Sequence, residues 1–368
     1  MERSKVNIAV GIFVVLGFLA LGYLSIRLGK VWRVQMLSRR AWLQGVAAGG
    51  LSLAAGGAVR AQGTAVKPVT FLTNYALFGR HAPFFIGIEK GFYRDAGFDL
   101  KVQPTTGSGF VNTAIDAGRA DYAITDASFL VQSISKGAKV RGFGVFMDIS
   151  ANGVASTSAL PNPESLMGKT IAAAVTDSSR VVIPIIYSLH NLDASKLQWV
   201  AADPGTYFSL LLGGRVDVIA AAMDADRPAL GKAAAAAGKQ VNFAAFGNWG
   251  YDVFGLFLVT SPDRIAQNPT EVKAFAAATV KSVKYAMANP EEAAKSMATQ
   301  NPAMDHDLIL EQWRAASDTM QTDYVKQRGY GAATPDRLQR TIELARTALK
   351  IEATVTPDQL YAPGLMPS

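Results

Sequence analysis

Gly79-Arg80-His81-Ala82-Pro83-Phe84-Phe85-Ile86-Gly87-Ile88-Glu89-Lys90-Gly91-Phe92-Tyr93-Arg94-Asp95-Ala96-Gly97-Phe98-Asp99-Leu100 combines an apolar helix, a glycine stop and the start of an alternating strand. Just before it, Val69-Thr70-Phe71-Leu72 reads as a strand, followed by a loop that carries Asn74, Tyr75 and His81. The apolar residues from Ala82 form a short helix that stops at Gly91, and Phe98-Asp99-Leu100-Lys101-Val102 alternates as a second strand. Such a βαβ unit sets its first loop at the carboxyl end of the first strand, where open α/β sheets bind ligands.

Two further segments share one pattern. Ala117-Gly118-Arg119-Ala120-Asp121-Tyr122-Ala123-Ile124-Thr125-Asp126 leaves a helix through a glycine turn and enters an apolar strand with a polar tip. Gly213-Gly214-Arg215-Val216-Asp217-Val218-Ile219-Ala220-Ala221-Ala222-Met223-Asp224 does the same. Both runs suit buried parallel strands, and their recurrence predicts paired α/β lobes. Residues 62–153 open lobe one, residues 154–253 form lobe two, and residues 254–368 complete lobe one. Two passages of the chain between lobes make a hinge, with a cleft between them. Ser261-Pro262 and Thr334-Pro335 read as helix starts.

The segment around Lys90-Gly91-Phe92 and Gly97-Phe98-Asp99-Leu100 resembles the first unit of periplasmic solute-binding proteins of the nitrate/sulfonate/taurine and thiamine-pyrimidine family. That resemblance implies a two-lobed periplasmic-binding-protein fold, type II-like. It also implies an extracytoplasmic role, capturing a small polar or anionic organic solute for an ABC permease in the inner membrane, with no catalytic residue, metal or cofactor. The family's pyrimidine-binding members carry Asp-Trp ahead of the His loop, where Asn74-Tyr75 stands here. An enzyme of the thiamine-pyrimidine synthase kind is the alternative from the same resemblance; its chemistry involves iron and a cysteine cluster, and this chain has no cysteine. A membrane-tethered sensory module is a third reading.

The formal charge of +7 comes from the amino terminus. Eight of the 36 Lys and Arg and one of the 29 Asp and Glu lie in residues 1–61, so 28 of each sign remain in 62–368. A neutral body lacks the basic surface that nucleic-acid binding requires. Residues 8–26 form an uncharged run close to the roughly 20 apolar residues that span a bilayer. Residues 1–35 are therefore expected to form a hydrophobic, transmembrane-like helix and a membrane tether if retained. The first 30 residues resemble the anchor of mammalian-cell-entry lipid-transport proteins. Ser38-Arg39-Arg40-Ala41-Trp42-Leu43 resembles a twin-arginine export motif, and Val59-Arg60-Ala61 offers a cleavage point, giving a signal over 36–61 and periplasmic localisation by that or the Sec route.

The candidate ligand contacts follow the expected strand tips. In lobe one they are Asn74, Tyr75 and His81, the turn Thr106-Gly107-Ser108 with its helix-start amides, and Asp126. In lobe two they are Asp177-Ser178-Ser179-Arg180, Asp203 and Asp224. His81 either touches ligand or supports its loop, and Arg80 and Arg180 are the residues able to meet an anion. Trp249 and its neighbour Tyr251 either stack on a flat ligand or wedge the hinge. His190 and His306 read as structural, and Gly168-Lys169-Thr170 as a turn, because Pro163 stands where a phosphate loop needs glycine.

Overall fold

The structure, a computed structural model, describes residues 66–367 apart from Thr176. The hydrophobic helix and the export signal expected within residues 1–61 lie outside the described residues. Among those described, no helix is long and apolar enough to cross a membrane.

Ten strands make two sheets. The first uses β1 (Lys67–Leu72), β2 (Phe98–Gln103), β3 (Tyr122–Asp126) and β4 (Arg141–Met147). The second uses β5 (Asn152–Ser156), β6 (Thr170–Ala173), β7 (Gln198–Ala201), β8 (Val218–Ala222) and β9 (Asn242–Ala245). The last strand, β10 (Leu256–Thr260), returns to the first sheet. The spatial orders are β2-β1-β3-β10-β4 and β7-β6-β8-β5-β9. In each sheet four strands run parallel, and one antiparallel strand, β10 or β5, which arrives after the chain has crossed from the other sheet, is inserted before the fourth of them. The two lobes are thus the same design used twice, and the chain passes between them at 148–151 and 246–255.

The repeated Gly-Arg-x-Asp explains how. Gly118 and Gly214 end their helices at φ +66° and +67°, a conformation side chains with a Cβ resist. Three residues on, the Asp121 carboxylate accepts from Thr70 N at 2.8 Å and Asp217 accepts from Thr170 N at 2.8 Å. Each aspartate, standing just before the third strand, ties it to the first, at Thr70 within β1 and at Thr170 where β6 begins, which fixes register from a local motif.

The helices that matter to the site are α1 (Ala82–Glu89), α2 (Ser108–Asp116), α3 (Ala127–Ser135), α4 (Ser179–Leu189), α5 (Asp226–Ala236), α6 (Pro269–Ala288), α7 (Pro290–Gln300), α8 (His306–Thr319) and α9 (Pro335–Leu349). Lobe one's core is aromatic. Phe275 of α6 lies flat on Tyr122 at 3.9 Å and is met by Phe71, Tyr93, Phe98 and Phe143. Trp313 of α8 is fully buried, and its indole N–H donates to Ala286 O at 3.0 Å, so no polar atom of the ring is wasted. Ser261 caps its helix by accepting from Arg264 N, whereas Thr334 makes no cap and instead accepts from the Tyr324 hydroxyl.

Helix α9 straps the hinge. Leu338, Ile342 and Ala345 belong to a lobe-one cluster, while Leu344 packs into lobe two. Arg337 ion-pairs with Asp148 on the first crossing segment, donates to Asp148 O at 2.9 Å, and stands 3.7 Å from Asp252 on the second. Its guanidinium lies 4.4 Å from the Phe254 ring and 4.7 Å from Tyr324.

Candidate functional site

The carboxyl ends of β1 and β3 face those of β6 and β8, and polar side chains collect there. After β1, Thr73 Oγ1 donates to Tyr75 O at 2.5 Å and Thr105 Oγ1 donates to Thr73 O at 2.9 Å, which folds the loop back. His81 is fully buried. Its Nδ1 accepts from Phe78 N at 3.0 Å, so the other nitrogen carries the proton and faces Asn74 Oδ1 at 3.2 Å. Burial, and then the neighbouring Arg80 charge, hold the imidazole well below its ordinary value and keep it neutral. The loop-support role expected of His81 matches this geometry, in which both ring nitrogens are used within its own loop and the side chain is fully buried. Tyr75 stays half-buried at the end of a stack, 6.0 Å from Phe78, which lies 6.4 Å from His81.

Asp126 is the cap of α3, accepting from Ser128 N and Phe129 N, while its other oxygen accepts from Asn152 Nδ2 at 3.3 Å across the lobe boundary. Burial pushes its carboxyl up to about 6 against those hydrogen bonds. Ser108 is buried and accepts from Asp126 N at 3.0 Å, so it sits beside that carboxylate. Gly107 enters α2 at φ +146° and donates its N–H to Thr105 Oγ1 at 3.2 Å, which joins it to the folded-back loop, and Thr106 is exposed.

In lobe two, Asp177 accepts from Ser179 N at 2.8 Å and from the Tyr207 hydroxyl at 3.3 Å. Ser179 is buried, and Ser178 is half-buried without a side-chain cap bond. Arg180 is held by backbone carbonyls. Its Nε donates to Ala174 O and its Nη2 to Ala173 O, both at 2.9 Å, with the guanidinium 4.9 Å over Trp199. Asp203 is exposed and caps its turn by accepting from Gly205 N. Trp249 corrects its expectation of stacking: at 3% exposure it is part of lobe two's core, tilted against Phe246. Tyr251 takes the wedge role, its hydroxyl 2.5 Å from Ser128 Oγ of lobe one.

Asp224 corrects another expectation. It is 1% exposed and accepts from Arg80 Nη2 at 2.8 Å, an ion pair joining the first loop of lobe one to the tip of β8. Gln312 works beside it, accepting from Gly79 N at 2.9 Å and donating to Ala225 O at 2.9 Å. Arg80 is therefore tied to Asp224 through Nη2, with its Nε buried and without a hydrogen-bond partner, while Arg180 is held by the end of β6. The sequence reading missed Asp226, Gln312, Tyr207 and Asn152. Asp226 stands two residues past Asp224 and its spacing was visible; the other three declare themselves only through contacts far apart in the chain. Depressions of about 430 Å³ along Leu160, Arg227 and Phe243, and of about 500 Å³ near Ile134, Arg141 and Asp358, lie away from this cluster. Neither brings together polar groups from both lobes, so the strand tips remain the candidate site.

Solved structures of known proteins share this fold. The solved structure of the periplasmic aliphatic sulphonate binding protein SsuA from Escherichia coli matches with a TM-score of 0.61 at 14% identity, covering 82% of this chain and 94% of that one. A protein of Bordetella bronchiseptica RB50 matches at 0.59 and 20% identity, covering 81% and 95%. At such identities the likeness shows the fold. Among curated proteins, the 4-amino-5-hydroxymethyl-2-methylpyrimidine phosphate synthase of Candida albicans (strain WO-1) is 23% identical over 251 residues, 65% of this chain and 73% of that protein. The Saccharomyces cerevisiae synthase THI5 is 21% identical over 280 residues, 72% of this chain and 82% of its own. A family model described as NMT1/THI5 like matches residues 79–293, more than half the chain. The chain belongs to the NMT1/THI5-like family.

Proposed function

We propose that the protein is the extracytoplasmic solute-binding component of an ABC importer, closing two lobes on a small polar organic solute and presenting it to an inner-membrane permease. The fold supports solute binding. The observation that carries the reading is polar: the groups meeting across the lobes are Arg80, Asp224, Gln312, Asp126, Asn152, Ser128 and Tyr251, while the four apolar clusters lie on either side of that boundary or behind the hinge. A boundary of this kind opens at small apolar cost, and a solute with contacts to both sides shifts it toward closure. Export by the twin-arginine route and tethering through residues 8–26 belong to the same reading and rest on the sequence motifs there.

The synthases among the relatives favour a second reading, an enzyme acting on a pyrimidine precursor. The residues present fit iron poorly: His81 spends both ring nitrogens on its own loop, and among the described residues no group of three or more His, Asp and Glu could hold a metal ion. One experiment separates the readings. Nitrate, taurine, alkanesulfonates, aromatic carboxylates and pyrimidines are screened by thermal shift and small-angle scattering, with chromatography of each mixture. Capture predicts a raised Tm and a smaller radius of gyration for one class, with the compound recovered unchanged. A converted compound selects the enzyme; no shift and no contraction with any class rejects capture.

A further inference from the structure

The loop after β1 leaves Asn74 little freedom. Thr73 N donates to Gln103 O at 3.0 Å, Thr73 Oγ1 donates to Tyr75 O at 2.5 Å, and Thr105 N donates to that same carbonyl at 3.3 Å. Asn74 stands between these two anchored residues. What remains to it is rotation of its side chain, including the half-turn that exchanges amide oxygen and nitrogen.

His81 removes that half-turn. A backbone N–H only donates, so Nδ1, which accepts from Phe78 N at 3.0 Å, carries no proton. The ring proton is therefore on Nε2, 3.2 Å from Asn74 Oδ1. A flipped amide would set two donors, the Nε2–H and the Asn74 NH2, against each other. The imidazole is fully buried and lies 6.4 Å from the Phe78 ring with 18° between planes, which resists a turn of the ring to accommodate the flip.

The Asn74 NH2 is thus a donor of fixed orientation. Asn74 is half-buried, and its Nδ2 neither bonds to a group among the described residues nor is sealed from solvent. The loop itself stands at the carboxyl end of β1, where the two lobes face each other. A donor oriented before the solute arrives costs less to order, and it rejects a partner that brings only donors.

We propose that Asn74 is the specificity-determining donor of the solute site, with His81 as its positioning residue, and that the solute brings a hydrogen-bond acceptor to this loop. The acceptor is a carboxylate, sulfonate, nitrate or carbonyl oxygen, or an unprotonated ring nitrogen. This rests on the reading of the cleft as the solute site and narrows the solute to molecules with such a head group.

The test is calorimetry of the full-length protein at neutral pH. Benzoate is compared with benzamidine, which exchanges acceptors for donors in one planar head group; pyrimidine, nitrate, taurine and methanesulfonate are further acceptor-bearing compounds. At least one of the acceptors binds, and benzamidine binds about tenfold or more weakly, the loss expected for an unmatched polar contact. Asn74→Leu weakens the acceptor by about tenfold, and Asn74→Asp, which accepts where Asn74 donates, reverses the order of benzoate and benzamidine. His81→Phe frees the amide to flip and narrows the ratio of acceptor to donor affinity about fivefold, whereas a merely structural loss lowers both affinities together. Nitrogen-15 NMR of the unaltered protein reads the lock without any variant. Its three histidines, told apart by the spectra of His190→Gln and His306→Gln, should show His81 as the Nε2–H tautomer. An Nδ1–H tautomer overturns the positioning role. Benzamidine binding as tightly as the acceptors, or acceptor affinity unchanged by Asn74→Leu, overturns the assignment of Asn74 and leaves solute capture standing. Silence of every compound, with no contraction by any, removes both.

Discussion

Arg80→Ala should part the lobes. Arg80 and Asp224 are 5% and 1% exposed, and each is the other's only ion-pair partner among the described residues. Removing one member of a buried pair leaves the second as an uncompensated charge, a loss of about 3–5 kcal/mol. Here the pair spans the lobe boundary, so the protein escapes part of that cost by opening and hydrating Asp224. The expected result is a larger radius of gyration in the solute-free protein, with a lower urea midpoint. Arg80→Met combined with Asp224→Leu should restore the compact profile, because exchanging both charges for apolar groups of similar volume is close to neutral. A lowered midpoint with an unchanged scattering profile would place the pair in a rigid interior, outside any closing motion.

Arg337→Ala should have an effect of similar size through the hinge. Asp148 is 2% exposed and would keep only the Thr322 hydroxyl as a side-chain partner. The same accounting of a stranded buried charge gives about 3 kcal/mol or more. The guanidinium also lies over Phe254 and Tyr324, and each such contact adds about 0.5–2 kcal/mol. Arg337→Lys returns the charge to Asp148 but cannot donate to its carboxylate and carbonyl together while stacking on two rings, so it should recover only part of the loss. Urea unfolding followed by Trp fluorescence measures both. A full recovery by lysine would mean that charge alone matters there.

The architecture was legible because its signals are local. Gly118 with Asp121 and Gly214 with Asp217 are turn and anchor within four residues. The site was legible in its positions and less so in its roles. Asn74, Tyr75, Asp126 and Asp177 do stand at strand tips, yet nothing in the sequence says that Arg80 meets Asp224, 144 residues away, or that Gln312 reaches back 233 residues to Gly79. Those pairings decide the charge left over for a solute. Trp249 was misread for a related reason: Asn248-Trp249-Gly250 has the composition of an exposed turn, but the short 3-10 turn Phe246–Trp249 rolls the indole into lobe two's core. Arg180 misled because its local carbonyl partners lie at the end of β6, seven residues back, and satisfy it there.

Solute binding should draw the two lobes toward each other. The chain has no cysteine, so Phe110→Cys on α2 and Val175→Cys beyond β6, at positions 49% and 77% exposed, give two unique labelling sites on opposite lobes. Spin labels there report lobe separation by pulsed electron resonance, with and without the compound that produces the largest thermal shift. The prediction is a broad or longer distance distribution without solute that collapses to a single shorter one at saturation. A distribution that is the same in both conditions, while calorimetry shows the compound bound, would contradict closure.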